Sequence, residues 1–322
     1  MMEKNNESHP PSSILHPRPI FIAGPTAVGK SAIALALAER IGGEIISVDS
    51  MQVYRGLDIG TAKPTAAERA RVRHHLLDIC DLGEAFDAAQ FVQRAQAAVA
   101  EIVARGHTPI FCGGTGLYFK GFLSGLGEAP PADERLRAEL AALPFAELLR
   151  ELRERDPECY EKIHKENPRR VIRAVEVIRL TGKKFSAQRA EWKTSAAVQV
   201  PAPAFYCFTR PAEEMHRRIN ARVEEMFARG LVEETRELLK HGLTENKFAM
   251  QAIGYRQVVE HLRGEPPLSG TTLAETVELV KIRTRQFAKR QLTWFRRHGN
   301  CEWVELGAEP MEEVLERIRR GY

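Results

Sequence analysis

Short β-branched runs alternate with stretches of helical periodicity along the first third of the chain. This alternation is typical of parallel βαβ units, so the pattern predicts an α/β fold with a parallel sheet. The candidate strands are Ile20–Ala23, Glu44–Val48, Pro109–Cys112 and, much later, Ala204–Thr209. The candidate helices are Ser31–Ile41, Asp87–Arg105, Glu213–Arg229, Leu231–His241 and Leu273–Arg297. After them, Cys301–Tyr322 has the pattern of one strand and a short amphipathic helix.

The alternation breaks near Glu128, where the chain becomes helical and charged until the Ala/Val/Pro-rich stretch Ser195–Pro203. Because a buried strand pattern returns at Ala204, the break predicts an all-helical domain, residues 128–198, inserted into a discontinuous core, residues 18–127 and 199–322. The alternative is two consecutive domains. Residues 1–17 are polar and lack an apolar signal-peptide core, so they are predicted to be a disordered leader.

Composition excludes several classes of protein. The chain has 322 residues and 43% hydrophobic content, which suits a protein with a sizeable core. No apolar stretch approaches the roughly 18 residues that a membrane-spanning helix needs, so no membrane partner is expected. The five cysteines are far apart and form no CxxC pair, which argues against a disulfide framework and a structural zinc site and predicts a cytoplasmic location.

The formal charge of +4 is unevenly distributed. Tyr160–Lys193 has a net charge of +6 and Lys281–Arg297 has +7, which leaves the rest of the chain at −9. Two basic segments on an acidic body predict a polyanionic partner larger than one nucleotide. Each segment taken alone could also be an ordinary solvated helix face.

The motif GxxxxGKS follows the first candidate strand and precedes the first candidate helix. It comprises Gly24, Pro25, Thr26, Ala27, Val28, Gly29, Lys30 and Ser31. In this context the loop amides and the helix N-terminus hold a phosphate chain, Lys30 reaches its oxygens, and Ser31 can ligate Mg²⁺. The motif predicts a P-loop nucleoside-triphosphatase-like core, a parallel sheet flanked by helices. A chance glycine turn before a structural helix is the alternative.

Asp49 directly follows the second candidate strand. Ligands of doubly wound sheets bind beyond the carboxyl ends of the strands, so Asp49 is expected to face the phosphate loop. A carboxylate there can accept a proton or bind Mg²⁺ through water, and the general base is the favoured interpretation. Alternatively, Asp49 and Gln52 form a capping box.

The strand Pro109–Cys112 is followed by GGTGLY and not by the aspartate with which P-loop ATPases hold Mg²⁺ and a hydrolytic water. This difference argues against a motor or a switch. Gly113 and Gly114 permit close backbone approach and Thr115 offers a hydroxyl, which suits the binding of a diphosphate or a nucleotide. Alternatively, the glycines only make a tight turn.

Two helices carry further basic candidates. Arg218 and Arg222 are spaced i, i+4 on one helix and are either a charge clamp for a leaving group or surface residues. On the last long helix, one stripe contains Lys281, Arg285, Lys289 and Arg296, and a second contains Arg283, Arg290 and Arg297. A helix with two basic faces repels itself unless anions lie beside it, so nucleic-acid phosphates are predicted there.

A series of motifs in this chain resembles the tRNA dimethylallyltransferase (tRNA isopentenyltransferase) family, bacterial type. The motifs are GPTAVGKS, DSMQVYRGLDIGTAKP, HHLLD, GGTGLY, NPRRVIRAVEV, AIGYRQ and TRQFAKRQLTWFR, which together span Gly24–Arg297. The longer motifs are far more specific than the phosphate loop alone.

The resemblance implies transfer of a dimethylallyl group from dimethylallyl diphosphate to N6 of adenosine 37 in tRNAs that read codons beginning with U. Asp49 would accept the N6 proton, while Thr115, Arg222 and the loop Gly24–Ser31 would hold the diphosphate with Mg²⁺. The helical insertion would contact the anticodon stem, and the enzyme is expected to act as a monomer. The residues implied in tRNA binding are Asp49, Ser50, Met51, Gln52, Arg169, Arg170, Arg173, Gly254, Tyr255, Arg256, Arg285, Lys289, Arg290 and Gln291.

Two other functions are compatible with parts of the pattern. An adenylate isopentenyltransferase acting on free AMP or ATP would share the phosphate loop, but the two basic segments would be superfluous for so small a substrate. A P-loop nucleotide kinase or NTP-binding RNA module would also use the loop. Tighter binding of ATP than of dimethylallyl diphosphate would favour that function.

Overall fold

A computed structural model describes residues 17–126, 130–190 and 204–321. Nearly all of the predicted leader and both predicted domain boundaries, 127/128 and 198/199, lie outside the described residues. The described chain forms two compact units. The first contains residues 17–86, 93–115 and 204–321, and the second contains residues 87–92, 116–126 and 130–190.

The first unit is built on a parallel sheet, which confirms the predicted fold class. Among the described residues its strands are β1 (Ile20–Ala23), β2 (Gly43–Val48), β3 (His74–His75), β4 (Thr108–Gly113), β5 (Ala204–Thr209) and β6 (Glu302–Glu305). Their order is β3-β2-β4-β1-β5-β6, and every neighbouring pair is parallel. The four candidate strands agree with the structure to within one residue at each end. The two-residue strand β3 was not predicted because it is too short to show a period.

The helices agree with their predicted ranges to within one residue wherever a helix was predicted. In chain order they are α1 (Lys30–Ile41), α2 (Ala66–Arg71), α3 (Ala88–Ala104), α4 (Gly116–Ser124), α5 (Glu134–Ala142), α6 (Phe145–Arg155), α7 (Pro157–Lys162), α8 (Pro168–Thr181), α9 (Phe185–Ala190), α10 (Ala212–Ala228), α11 (Leu231–Lys240), α12 (Tyr255–Arg263), α13 (Leu273–His298) and α14 (Met311–Arg320). The predicted C-terminal strand and helix are β6 and α14.

Local sequence explains where the elements of the site begin. Strands β1, β2 and β4 are buried along their whole length, as expected for continuous apolar runs in a parallel sheet. Helix α1 begins after Gly29, whose φ of 109° favours glycine, and it ends at Gly42, which is also left-handed. Helix α13 begins with a capping box in which Thr272 and Glu275 bond each other's backbone N–H groups.

The second unit is helical. Helices α5 to α8 enclose an apolar core that includes Leu148, Leu152 and Val175. The buried Glu176 carboxylate accepts hydrogen bonds from Asp133 N (2.8 Å), Arg137 Nε (3.0 Å) and Arg173 Nη1 (2.8 Å). A buried charge is tolerated only when it is paired in this way.

Residues Gly116–Leu126 group with the helical unit, whereas the sequence pattern assigned them to the α/β core. The physical reason is aromatic packing, since Tyr118 of α4 stacks on Phe91 with ring centroids 4.3 Å apart. Throughout the described ranges, no helix combines the length and the apolarity that crossing a membrane requires.

Candidate active site

The phosphate loop lies between β1 and α1. Two arginines that follow β5 in the sequence donate hydrogen bonds to its carbonyl oxygens. Arg210 Nε donates to the carbonyl oxygen of Val28 (2.8 Å), and Arg218 Nε donates to that of Ala27 (2.8 Å). Ala27 itself has a φ of 63°, so the loop keeps a conformation that needs such support. Of the two interpretations left open for Arg218, the structure therefore supports neither a clamp nor a plain surface residue, because Arg218 fixes the loop.

Lys30 occupies the first position of α1 and faces a cavity at the carboxyl end of the sheet. Its ammonium donates to the carbonyl oxygen of Pro25 (3.1 Å). Burial lowers the pKa of Lys30, and the nearby charge of Arg222 acts in the same direction, whereas Asp49 opposes it. Binding of an anion here would restore a higher pKa, since it would stabilise the charged form.

Arg222 lies on α10 and faces the same cavity. Its Nε is buried and has no hydrogen-bond partner among the described residues. Burial lowers the pKa of its guanidinium, and the charge of Asp49 partly opposes that shift. An unsatisfied buried donor is costly, so this group indicates a site for an anion.

Asp49 follows β2 and lines the cavity, as its position after the strand predicted. Its Oδ1 accepts hydrogen bonds from the backbone N–H groups of Met51 (2.8 Å) and Gln52 (3.3 Å). The capping box that the sequence left open does not form, because Gln52 Nε2 donates to the carbonyl oxygen of Thr61 (3.1 Å) and no helix begins here. Because both backbone bonds end on one oxygen of Asp49, they orient the carboxylate and are compatible with a role in proton transfer.

Thr115 follows β4 after two glycines. Its Oγ1 accepts the N–H of Ser50 (3.2 Å), which leaves the hydroxyl proton to be donated to a ligand. Glycine is required at position 113, since a Cβ there would lie 2.1 Å from the carbonyl oxygen of Val48. The glycines therefore do more than make a turn, because they bring Thr115 beside the residues that follow β2.

The cavity formed by these residues has a volume of about 390 Å³. One part of its lining is polar and charged, and another part is apolar. The polar and charged lining includes Thr26, Lys30, Ser31, Asp49, Ser50, Gln52, Thr115, Arg222, Arg290 and Gln291. The apolar lining includes Met51, Val223, Met226, Ile253, Val280 and Phe287. Such an enclosure suits a ligand that carries both a polyanion and a small hydrocarbon group.

The donor set is compatible with one Mg²⁺ shared with a bound diphosphate. Mg²⁺ is usually held by one or two carboxylates together with substrate phosphates, and here Ser31 and Asp49 line the same cavity. Within the described ranges, no group of three or more His, Cys, Asp or Glu side chains could form an all-protein metal cage. The residues present thus fit a metal that is bound with the substrate.

The predicted tRNA contacts on α12 and α13 divide into exposed and buried residues. Arg256, Lys289 and Arg290 are exposed, and Arg290 lies over the ring of Phe287 at 5.8 Å. Arg256 and Arg290 also line a neighbouring cavity of about 290 Å³ together with Arg283. Arg285 is half-buried and donates to Asn220 Oδ1 (2.7 Å). These arginines and Lys289 form the accessible basic surface of the first unit's last long helix and its neighbour.

The structure corrects the expectation for Tyr255, whose side chain is fully buried and is therefore inaccessible to RNA. Its hydroxyl donates to Glu234 Oε1 (2.5 Å) and accepts the N–H of Gly60 (3.0 Å). Glu234 also accepts the N–H of Ile59 (3.0 Å). Tyr255 and Glu234 thus hold the loop that forms one wall of the cavity. Gly254 is buried as well and begins α12 in a positive-φ conformation.

Lys281 of α13 does not belong to an exposed basic stripe, contrary to the prediction from the sequence. Lys281 is buried and pairs with Glu224 and Glu278 (2.6 Å each), so the protein itself neutralises it. Glu224 lies on α10, so the helical pattern of α13 did not reveal this pairing. The exposed basic surface of α13 therefore begins beyond Lys281.

In the second unit, the predicted tRNA residues lie at the start of α8. Arg169 and Arg170 are exposed. Arg173 donates to the buried Glu176 and to the carbonyl oxygen of Pro130 (2.6 Å), so it stabilises the fold of this unit. The pairing with Glu176 is three residues along the helix, a spacing that the sequence could have shown.

The fold consists of a parallel sheet with a phosphate loop after β1. The cavity beside that loop is lined by three cations, a carboxylate and apolar side chains. Together these features define a P-loop-fold enzyme acting on a phosphorylated substrate. The model of the IPP transferase family matches residues 52–298. The tRNA dimethylallyltransferase 1 of Trichlorobacter lovleyi is 46% identical over 295 residues, which cover 90% of this chain and 94% of the relative. The tRNA dimethylallyltransferase of Geobacter metallireducens is 45% identical, with 95% of this chain and 97% of the relative covered.

Solved structures agree with the sequence comparison. The tRNA isopentenylpyrophosphate transferase of Bacillus halodurans superposes with a TM-score of 0.67 at 38% identity and covers 94% of this chain and 95% of its own. A eukaryotic dimethylallyltransferase acting on tRNA has a TM-score of 0.74 at 28% identity and covers 89% of this chain and 74% of its own. This chain belongs to the IPP transferase family and is a prenyl-transferring enzyme, which confirms the family indicated by the motifs.

Proposed function

We propose that this enzyme transfers the dimethylallyl group of dimethylallyl diphosphate to N6 of adenosine 37 in tRNAs that read codons beginning with U. The carrying observation is the cavity in which Lys30, Arg222 and Thr115 share one enclosure with the carboxylate of Asp49. The names of the bacterial relatives and of the tRNA-acting structural neighbour support tRNA as the acceptor. The exposed basic surface of α13 supports it independently.

The reaction has two requirements, activation of the nucleophile and neutralisation of the leaving group, and we propose that residues of this cavity meet both. An exocyclic adenine amine is a weak nucleophile, and an allylic C–O bond breaks readily only if the departing diphosphate is neutralised. We propose that the loop Gly24–Ser31, Lys30, Arg222 and the Thr115 hydroxyl hold that diphosphate. A Mg²⁺ ion held by Ser31 and the diphosphate would add positive charge at the leaving group.

Asp49 is proposed as the general base. As the C–N bond to the allylic carbon forms and the C–O bond breaks, N6 loses a proton to the Asp49 carboxylate and diphosphate leaves. The hydrogen bonds from Met51 N and Gln52 N hold the carboxylate in one orientation, which reduces the reorganisation needed for proton transfer. The flipped adenosine would reach the cavity at a cost of a few kcal/mol of unstacking.

Binding of the rest of the tRNA is proposed for six basic residues that are exposed or half-buried. They are Arg169 and Arg170 of α8, Arg256 of α12, and Arg285, Lys289 and Arg290 of α13. We propose that the helical insertion, residues 128–198, contacts the anticodon stem and that the enzyme acts as a cytoplasmic monomer. Five of these six arginines and lysines retain exposed side chains, as phosphate contacts require.

The direct test is a prenylation assay with dimethylallyl diphosphate, Mg²⁺ and an unmodified tRNA that contains A36-A37-A38. Mass spectrometry of nuclease digests is expected to find the dimethylallyl adduct at A37. The same assay with AMP tests the alternative substrate, and turnover of AMP without tRNA would contradict the proposal. Absence of any adduct with tRNA would contradict it as well.

A further inference from the structure

Gln291 connects two loops of the candidate active site. Its Oε1 accepts the N–H of Thr26 (2.9 Å), and its Nε2 donates to the carbonyl oxygen of Gly114 (3.0 Å). Thr26 belongs to the phosphate loop, and Gly114 immediately precedes Thr115. The Gln291 side chain is buried, with only 8% exposed. One amide therefore sets the spacing between the two segments that would hold the diphosphate.

Both contacts depend on the amide group of Gln291. The side chain accepts with its amide oxygen and donates with its amide nitrogen, and the two partners determine the orientation of the amide. A Cβ on Gly114 would lie 2.1 Å from Gln291 Nε2, so a larger residue at position 114 would displace the amide. Gln291 and Gly114 thus form one matched pair.

We propose that Gln291 is a positioning residue for the diphosphate, which holds the phosphate loop and Thr115 at the distance the leaving group requires, and that it is not a tRNA contact. This inference rests on the proposed function. It replaces the role that the motif resemblance implied for Gln291. The observations behind it are the burial of the side chain and the use of both ends of its amide by the protein.

The test separates binding of the diphosphate from binding of tRNA. Gln291→Met keeps the length of the side chain and removes both hydrogen bonds. The Kd of inorganic pyrophosphate with Mg²⁺, measured by calorimetry, is expected to rise at least about tenfold, because the phosphate loop and Thr115 lose the bonds that fix their spacing. The Kd of tRNA, measured by filter binding, is expected to stay within about twofold. Gln96→Met, on an exposed face of α3, is the matched control and should change neither value.

Two further variants keep the inference testable if Gln291→Met does not fold. Gly114→Ala disrupts the same contact by displacing the Gln291 amide. The double variant with Gln291→Met should lose little more pyrophosphate affinity than either single variant. Gln291→Glu retains the acceptor for Thr26 but loses the donor to Gly114. Its pyrophosphate affinity, taken relative to the wild type at each pH, should recover as the pH falls toward the usual carboxyl pKa of about 4.3, where the protonated acid can donate.

The opposite pattern would overturn the inference. If Gln291→Met weakens tRNA binding and leaves pyrophosphate binding unchanged, Gln291 contacts RNA. If the pH series of Gln291→Glu runs parallel to the wild type, the donor bond to Gly114 is unimportant. Pyrophosphate binding needs no prenyl transfer, so failure of the proposed function would be recognised separately in the tRNA assay.

Discussion

The carboxylates at the two ends of strand β2 differ in whether their neighbouring basic groups bond them directly. Glu44, near the start of the strand, is buried and contacts His75 Nε2 (2.6 Å), Arg105 Nη2 (2.8 Å) and His107 Nδ1 (2.8 Å). Asp49, just after the end of the strand, shares a cavity with Lys30 and Arg222, whose Nε has no partner among the described residues.

At the Glu44 end, Arg105 and the two histidines bond the carboxylate directly, so these groups satisfy one another within the fold. At the Asp49 end, the carboxylate accepts backbone N–H groups and Arg222 Nε has no partner among the described residues, so positive charge remains for a ligand. Buried charges are normally paired, and an imbalance inside a cavity therefore indicates function, while balance indicates structure. The following predictions test that difference.

Replacing the base should have the largest effect on the reaction. Asp49→Ala is expected to lower kcat by about 100-fold to 10,000-fold, the range typical of a lost general base. Single-turnover assays on tRNA would measure it, and Asp49→Asn, which keeps the size, serves as the matched variant. The Kd of tRNA is expected to change by less than about threefold. Turnover close to that of the wild type would remove Asp49 as the base.

Removing the unpaired cation should affect the reaction but not the fold. Arg222→Gln is expected to lower kcat/KM for dimethylallyl diphosphate by about 100-fold to 1,000-fold, because a donor to the developing negative charge is lost. The free energy of unfolding should not fall, since the variant removes a charge that burial disfavours. Chemical denaturation measures the second quantity, and a clear loss of stability would show that Arg222 is paired within the fold.

The paired end of β2 should behave in the opposite way. Burial acts to raise the pKa of Glu44, but hydrogen bonds from Arg105 and His75 lower it from 4.5 to about 2. Because the pKa is lower in the folded state, the stabilisation is fully present above pH 4.5 and is lost as the pH falls toward 2. The lowering of the Glu44 pKa corresponds to about 3 kcal/mol of folding free energy.

Glu44→Gln is therefore expected to lower the free energy of unfolding at pH 7 and to leave pyrophosphate binding unchanged. Urea unfolding at a series of pH values measures the effect, and the difference between wild type and variant should shrink below pH 4.5. An equal difference at pH 7 and pH 3 would contradict the assigned pKa. A large loss of pyrophosphate affinity would contradict the division between the two ends.

Helix α13 repeats the contrast on a smaller scale, with Lys281 paired and Lys289 exposed. Lys289→Ala is expected to weaken tRNA binding and to reduce the slope of log K against log salt by about 1, as for one lost phosphate contact. Arg285→Ala should reduce the slope less, because Arg285 already bonds Asn220. Lys281→Met should leave the slope unchanged, and equal slopes for all three variants would show that α13 is an ordinary solvated face.

Much of the fold and part of the site could be predicted from the sequence because their causes are local. The phosphate loop needs its glycines, Lys30 and Ser31 within one short run, and Asp49 and Thr115 are located by the ends of their own strands. Arg222 was a candidate by its residue type and helix position alone. Its missing partner, which distinguishes it from Arg218, became visible only in the folded cavity.

The expectations for Tyr255 and Lys281 failed for one physical reason. Both residues lie in segments that resemble an RNA-binding surface, but each is buried. Tyr255 bonds Gly60 and Lys281 pairs with Glu224, and both of these partners are far away in the sequence. Periodicity identifies a helix face, but it does not show which other element covers that face.

The amino-acid sequence by itself determined the parallel α/β class, the phosphate-binding loop and the family, since short-range backbone preferences and motif spacing carry that information. Only the tertiary structure decided which polar groups are satisfied by the protein and which remain for a ligand. The reason is that hydrogen-bond pairing and burial depend on contacts between distant segments, as between Gln291 and the phosphate loop.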